Sequence, residues 1–293
     1  MTGIPEFYTL SDGSRLPKIG FGTYKMTGEA GVHAIRTAID AGYRFFDTAS
    51  LYETEHVLGQ ALRESGIPRE QFIVGTKLWI DEMGYAGTKK ALERSLYRLK
   101  MDYVDLYMIH WPREEGSADE KWKERDIETW CAMEDAVEAG KVRRLGVSNF
   151  LPHHLENLLA NCRIRPVVDQ LELHPGYSQE MAVAFCLAEG IQPIAWSPLA
   201  RGRETVVEKI LIPIAKKYGK TPQQVSLRFL LQKRILPIPK ALSDTHIHAN
   251  LAVFDFSLTN EEMWMLSCMP QTAWLGEHPD FAIPKKKSNP AYY

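Results

Sequence analysis

Residues 72–111 read FIVGTKLWIDEMGYAGTKKALERSLYRLKMDYVDLYMIHW. An apolar run from Phe72 gives way to a segment with Leu92, Leu96 and Leu99 at helical spacing, and a second apolar run starts at Tyr103. Two short runs rich in β-branched and aromatic residues, separated by one amphipathic helix, spell strand, crossover helix, strand. The alternation continues outward in both directions. Upstream lie IGFG from Ile19 and YRFFDT from Tyr43; downstream lie RRLGVSN from Arg143, VVDQLELH from Val167, QPIAWSP from Gln192 and ILPIPK from Ile235. The eight runs are spaced by roughly thirty residues, the length of a strand plus its return helix. Helical spacing recurs between them at Val32, Ile35 and Ile39 and at Leu155, Leu158 and Leu159. Thr221-Pro222 reads as an N-cap followed by Pro at the first helical position, and Pro152 plays the same part. Thr259 with Glu262 forms a capping box, and Gly42 and Gly140 are placed to end helices.

Eight β-then-α units predict an α/β protein, a (β/α)8 TIM barrel. FYTL and LPKI around Ser11-Asp12-Gly13-Ser14 predict a β-hairpin ahead of the first barrel strand, placed to plug the N-terminal mouth. The alternative is a doubly wound open sheet, which needs a Gly-rich phosphate loop after its first strand. Here Gly20-Phe21-Gly22 runs into Thr23-Tyr24-Lys25 with no third glycine in place. Gly219-Lys220-Thr221 fails as a P-loop too, because Pro213 and Ile214 stand where the first glycine belongs.

The 293 residues are 45% hydrophobic and 25% charged, and no composition shift divides them, so a single domain over residues 1–293 is expected. With 35 Lys+Arg against 37 Asp+Glu there is no basic field for nucleic acid, which leaves a small molecule as the expected partner. Cys131, Cys162, Cys186 and Cys268 are scattered, with no metal-site spacing, and read as reduced thiols; no metal is expected. The first twenty residues lack a signal-peptide pattern and no later run is long enough for a membrane span, so a cytoplasmic protein is expected. The lack of an obvious exposed apolar stripe points to a monomer or weak dimer.

Chemistry in such a barrel gathers where strands end at their C-terminal side. The second run ends in Asp47, with Tyr52 in the loop beyond; the third carries Lys77; the fourth ends in His110-Trp111; the fifth in Ser148-Asn149; the sixth holds Gln170; the eighth delivers Lys240. Taken singly, Asp47 and Lys77 could be a buried ion pair and His110 a core histidine. Together they make a proton-transfer set. A tyrosine has an ordinary pKa near 10, a neighbouring ammonium favours its phenolate, and a carboxylate holds the ammonium. A neutral histidine beside it would orient a carbonyl oxygen that gains charge as hydride arrives.

These residues and their order resemble the aldo-keto reductases from about Leu10 to Asp280. The carrying strings are LPKIGFGTY, AGYRFFDTASLYETEHVLGQAL, TKLW, YVDLYMIHWP, GKVRRLGVSNF, DQLELHP, WSPLARG and LPIPKA. The strings look like those of bacterial members that include 2,5-diketogluconate and methylglyoxal reductases, where WSPL likewise occurs. The resemblance implies NAD(P)H-dependent reduction of aldehydes, ketones or dicarbonyls. Tyr52 would be the proton donor, Lys77 and Asp47 its tuning pair, and His110 the group that orients substrate. It further implies Ser148, Asn149 and Gln170 on the nicotinamide carboxamide and Trp196 stacked on the ring. Ser197 and Leu199 would lie along the pyrophosphate, with Lys240, His246 and Asn250 around the adenosine 2′-phosphate. Tyr24, Trp79, His110, Trp111 and Trp274 would line the substrate pocket, under a C-terminal loop formed by residues 269–293. A histidine at 110, where double-bond reductases of the family carry a carboxylic acid, favours carbonyl reduction.

Three departures stand out. His246 replaces the guanidinium that clamps a 2′-phosphate, so NADPH is expected as cofactor with weaker discrimination and some use of NADH. Asp169 replaces an asparagine beside Gln170; it either faces the ring or points into structure. Thr54 replaces an asparagine after Tyr52 and reads as tolerated loop variation. Two rival functions remain open: a Schiff-base aldolase using Lys77, and a non-catalytic nicotinamide-binding regulatory subunit.

Overall fold

The structure, a computed structural model, describes residues 6–112, 121–200, 206–271 and 278–280. Its strands are β1 (Phe7–Thr9), β2 (Arg15–Pro17), β3 (Phe21–Gly22), β4 (Phe45–Asp47), β5 (Ile73–Leu78), β6 (Val104–Ile109), β7 (Val142–Ser148), β8 (Val168–Glu172), β9 (Gln192–Trp196) and β10 (Leu236–Pro237). The helices are α1 (Gly28–Ala41), α2 (Glu55–Glu64), α3 (Tyr85–Leu99), α4 (Lys121–Glu138), α5 (Pro152–Asn161), α6 (Glu180–Ala188), α7 (Val206–Tyr218), α8 (Pro222–Gln232), α9 (Asp244–Leu251) and α10 (Asn260–Ser267).

Strands β3 to β10 form one parallel sheet in sequence order; seven of them fall within the eight apolar runs, and β7 starts one residue before its run, at Val142. The sheet closes on itself: the Gly20 N–H donates to Pro237 O at 3.0 Å and the Gly22 N–H to Pro239 O at 3.1 Å. The result is the expected (β/α)8 barrel. Glycine is needed at the seam because a Cβ on Gly20 would lie 2.6 Å from Phe45 and 2.8 Å from Ile238.

Side-chain alternation divides the core in two. Inward residues Phe45, Leu106, Met108, Val168, Ile194 and Leu236 fill the barrel. Tyr8, Leu10 and Leu16 of the β1–β2 hairpin pack on that same cluster, so the hairpin plugs the N-terminal mouth. Outward residues such as Phe46, Val74, Tyr107 and Val147 pack beneath the helices. The helix caps follow the sequence. Thr221 Oγ1 accepts the Gln224 N–H, Thr259 with Glu262 forms the capping box, α5 starts at Pro152, and Gly42 ends α1 in the left-handed region. All four cysteines are free thiols. Among the described residues no helix is long and apolar enough to cross a membrane.

Candidate active site

The C-terminal mouth concentrates backbone conformations that side chains rarely adopt. Lys25 after β3, Glu53 after β4, Asn149 after β7, Gln179 after β8, and Ser197 and Ala200 after β9 all have positive φ. Such conformations persist where surrounding structure over-determines them, and they cluster at functional sites.

Asp47 ends β4 facing inward, and Lys77 meets it from β5. The Lys77 ammonium donates to both Asp47 oxygens at 2.7 and 2.8 Å and to Thr48 O at 3.0 Å. Lys77 is wholly buried; burial pulls its pKa down, against the opposing pull of Asp47. Tyr52 closes a one-turn 3-10 helix, Ser50–Tyr52, and its ring centroid lies 5.0 Å from the Lys77 ammonium. His110 follows β6, and its N–H donates to Leu78 O at 3.1 Å. Its ring stands edge-on to Tyr52 at 5.6 Å and to Trp79 at 4.9 Å, and Tyr24 lies 4.9 Å from Tyr52. Asp47, Lys77, Tyr52 and His110 are thus brought together, with Tyr24 and Trp79 beside them. Trp111 is half-buried against the outer core. Trp274 lies outside the described residues, as do residues 272–277 and 281–293 of the expected C-terminal loop.

A polar cluster on β7 to β9 adjoins this set. Ser148 Oγ donates to Gln170 O at 2.8 Å, and Asn149 Nδ2 donates to His110 O at 3.0 Å and Ser148 Oγ at 3.2 Å. The Trp196 indole N–H donates to Asn149 Oδ1 at 2.9 Å, and Gln170 Nε2 donates to Asp47 Oδ1 at 2.9 Å. Gln170 therefore links the expected carboxamide-binding group to the proton-transfer group. Its Oε1 and second N–H are the parts suited to a ligand amide.

The residues expected around a phosphate are more dispersed. Lys240 is exposed beyond β10, His246 is exposed in the first turn of α9, Asn250 is buried in its last turn, Ser197 is half-buried, and Leu199 packs on the outer core. Lys25, which sequence reasoning passed over, stands near Lys240: burial and this second ammonium lower the pKa of Lys240. Among the described residues neither lysine has an acidic partner. Two unpaired ammonium groups near one another fit an anion.

Asp169 points away from the site, into the layer between β8 and α6. It accepts from Cys186 Sγ at 3.7 Å, and burial drives its pKa well above the usual carboxylate value. Thr54 departs from the expectation of tolerated loop variation. It is fully buried, its Oγ1 lying 3.3 Å from Thr23 Oγ1 and 3.2 Å from Thr48 Oγ1, so it ties the Tyr52 loop to β3 and β4. Nothing in the sequence signals this, since Thr23 is 31 positions away.

A second cluster lies at the start of α5, where His153 and His154 put their Nε2 atoms 2.9 and 3.3 Å from Asp280 Oδ1. These three groups have a metal-like spacing, within 4.8 Å of one another. His154 Nδ1 accepts the Leu151 N–H, however, so a neutral ring carries its proton on Nε2, the nitrogen that faces Asp280, and has no lone pair there for a metal.

The aldo/keto reductase family profile matches residues 18–267. The chain belongs to the aldo/keto reductase family. It is 43% identical over 279 residues to the 9,11-endoperoxide prostaglandin H2 reductase of Trypanosoma cruzi, covering 94% of this chain and 95% of that one. It is 38% identical to the glyoxal reductase of Bacillus subtilis, covering 95% and 98% of the two chains. Among solved structures, a Bombyx mori aldo-keto reductase in complex with NADP superposes with a TM-score of 0.84 at 34% identity, covering 92% of this chain and 95% of that one.

Proposed function

We propose that this reductase transfers hydride from NADPH to aldehydes, ketones or dicarbonyls, with Tyr52 giving the proton. The observation that carries the reading is the convergence of Tyr52, Lys77, Asp47 and His110 at one mouth of the barrel. The donor set suits a nicotinamide dinucleotide. Amide and hydroxyl groups at Ser148, Asn149 and Gln170 match a carboxamide, the Trp196 indole offers an aromatic face, and the Lys25 and Lys240 ammonium groups match phosphate. NADPH supplies the hydride when bound.

The His110 imidazole and the Tyr52 hydroxyl hold the substrate oxygen, and the Tyr52 proton moves onto that oxygen as it becomes an alkoxide. The buried Lys77 ammonium stabilises the phenolate left behind, and Asp47 keeps that ammonium in place. Tyr24 and Trp79 stand beside Tyr52 and His110 as an aromatic wall for the substrate. The geometry of Lys77 argues against a Schiff-base role, because a nucleophilic amine must be neutral and accessible. This one is buried, with all three of its N–H donors engaged. With His246 where a guanidinium would clamp the 2′-phosphate, NADH also serves, at lower efficiency.

The test is NADPH oxidation with a panel that includes glyoxal, methylglyoxal and aryl aldehydes. Tyr52→Phe is expected to lower kcat by at least about 100-fold while the NADPH Kd stays within about twofold, since general acid catalysis contributes on that scale. A Tyr52→Phe enzyme with near-wild-type kcat, or a wild type that reduces no carbonyl, would sink the assignment.

A further inference from the structure

The proton-donor turn is held from outside the barrel. Tyr52 stands on a single 3-10 turn rather than a strand, and the next residue, Glu53, has a φ of 58°, so the pose of the phenol depends on what braces that turn. Ser50 opens the turn, and its hydroxyl donates to Glu82 Oε2 at 2.9 Å. The same carboxylate oxygen accepts the Trp79 backbone N–H at 3.4 Å, two residues beyond Lys77, while Oε1 takes the Arg94 guanidinium. At the far end of the loop Glu55 accepts from Thr76 Oγ1 at 2.7 Å and pairs with Arg98 at 3.5 Å. Arg94 and Arg98 lie one turn apart on α3, so a single helix face supplies both cations.

Glu82 is 5% exposed, and burying a carboxylate with its guanidinium carries a desolvation penalty that an apolar pair of similar volume would avoid. The directional bonds to Ser50 and Trp79 are what an apolar pair could not supply. We propose that Glu82 is a positioning residue for carbonyl reduction. Through Ser50 it fixes the turn that carries Tyr52, and through the Trp79 amide it fixes the pocket wall just past the strand that carries Lys77. The inference rests on the reading of Tyr52 as proton donor. Its effect belongs in kcat rather than in cofactor binding, because the carboxamide-matching donors sit on β7 and β8, away from this brace.

The experiment compares the full-length wild type with Glu82→Ala, Glu82→Gln, Ser50→Ala, the Glu82→Ala/Ser50→Ala double variant and Tyr52→Phe. Measured are methylglyoxal reduction over pH, NADPH Kd by fluorescence, and Tm. Glu82→Ala is expected to lose about 10- to 100-fold in kcat, as small misplacements of catalytic groups do, with NADPH Kd within about twofold. Glu82→Gln, which still offers an acceptor to Ser50, recovers most of the loss, and the pH limb absent in Tyr52→Phe moves in Glu82→Ala. Ser50→Ala loses about 3- to 10-fold without a change in Tm, and the double variant is no slower than Glu82→Ala, as expected for groups acting as one unit. If Glu82→Ala does not fold, Ser50→Ala and Glu82→Gln decide. Folded variants that keep kcat within twofold of wild type while Tyr52→Phe loses it overturn the proposal alone. A wild type without carbonyl reductase activity, or an active Tyr52→Phe, overturns the proton-donor reading and this proposal with it.

Discussion

Asp169 and Gln170 are neighbours on β8 and face opposite ways, Gln170 toward Asp47 in the barrel and Asp169 toward Cys186 under α6. Strand parity dictates this, so the orientation of Asp169 was already legible once Gln170 was placed in the site. Asp169 is a carboxylic acid in an apolar layer with Oδ1 lacking a hydrogen-bond partner, and burial raises its pKa well above the usual carboxylate value. A carboxyl whose folded pKa is raised binds its proton more tightly in the folded state. The stability tied to that proton is complete below the unfolded pKa and is lost as pH rises toward the folded one. Asp169→Asn, neutral at every pH, is therefore expected to match wild type near pH 4 and to have the higher Tm at pH 8. Thermal melts across that range check it; equal Tm at pH 8 would mean the carboxyl ionises without penalty. The inward residues Asp47, Lys77 and Gln170 were equally legible, because each lies within an apolar run of period two. Thr54, Glu82 and Lys25 were not, since Thr54 meets Thr23 31 positions away, Glu82 meets Ser50 32 positions away, and Lys25 stands by Lys240 across the mouth of the barrel.

At the scale of elements, the eight apolar runs and the helical spacings between them are found as strands and helices. The barrel strands β3 and β10 are only two residues long, where the runs IGFG and ILPIPK promised more. Glycine at 20 and 22 and proline at 237 and 239 explain this, because they weaken or remove ladder hydrogen bonds while permitting the close approach at the seam. Helix α2 packs on the end of α3 so closely that a Cβ on Gly59 would lie 2.2 Å from Leu99 O. Gly59→Ala must push the two helices apart, and overpacking of this kind costs about 1–3 kcal/mol. Denaturant unfolding is expected to show that loss, and because α3 carries Arg94 and Arg98, kcat should fall with it. An unchanged midpoint would mean that the contact relaxes freely.

For the whole molecule, closure is the event that gathers the site. The seam between β3 and β10 brings Lys240 beside Lys25. Gly20→Val places methyl groups where Phe45 and Ile238 already are, and overpacking at the seam is expected to lower stability by about 3 kcal/mol. Calorimetry should show this together with weaker NADPH binding, since the two lysines lie on opposite sides of the seam; an unaltered Tm and Kd would mean that closure tolerates the change. The sequence by itself determined the strand–helix alternation, the hairpin, the caps and which side chains lie at strand ends, because periodicity and capping act over a few residues. Only the tertiary structure decided how those ends converge, which carboxylate braces Tyr52 and which cation stands beside Lys240. Those contacts join residues tens to hundreds of positions apart, and no local pattern records a pairing made by closing the barrel.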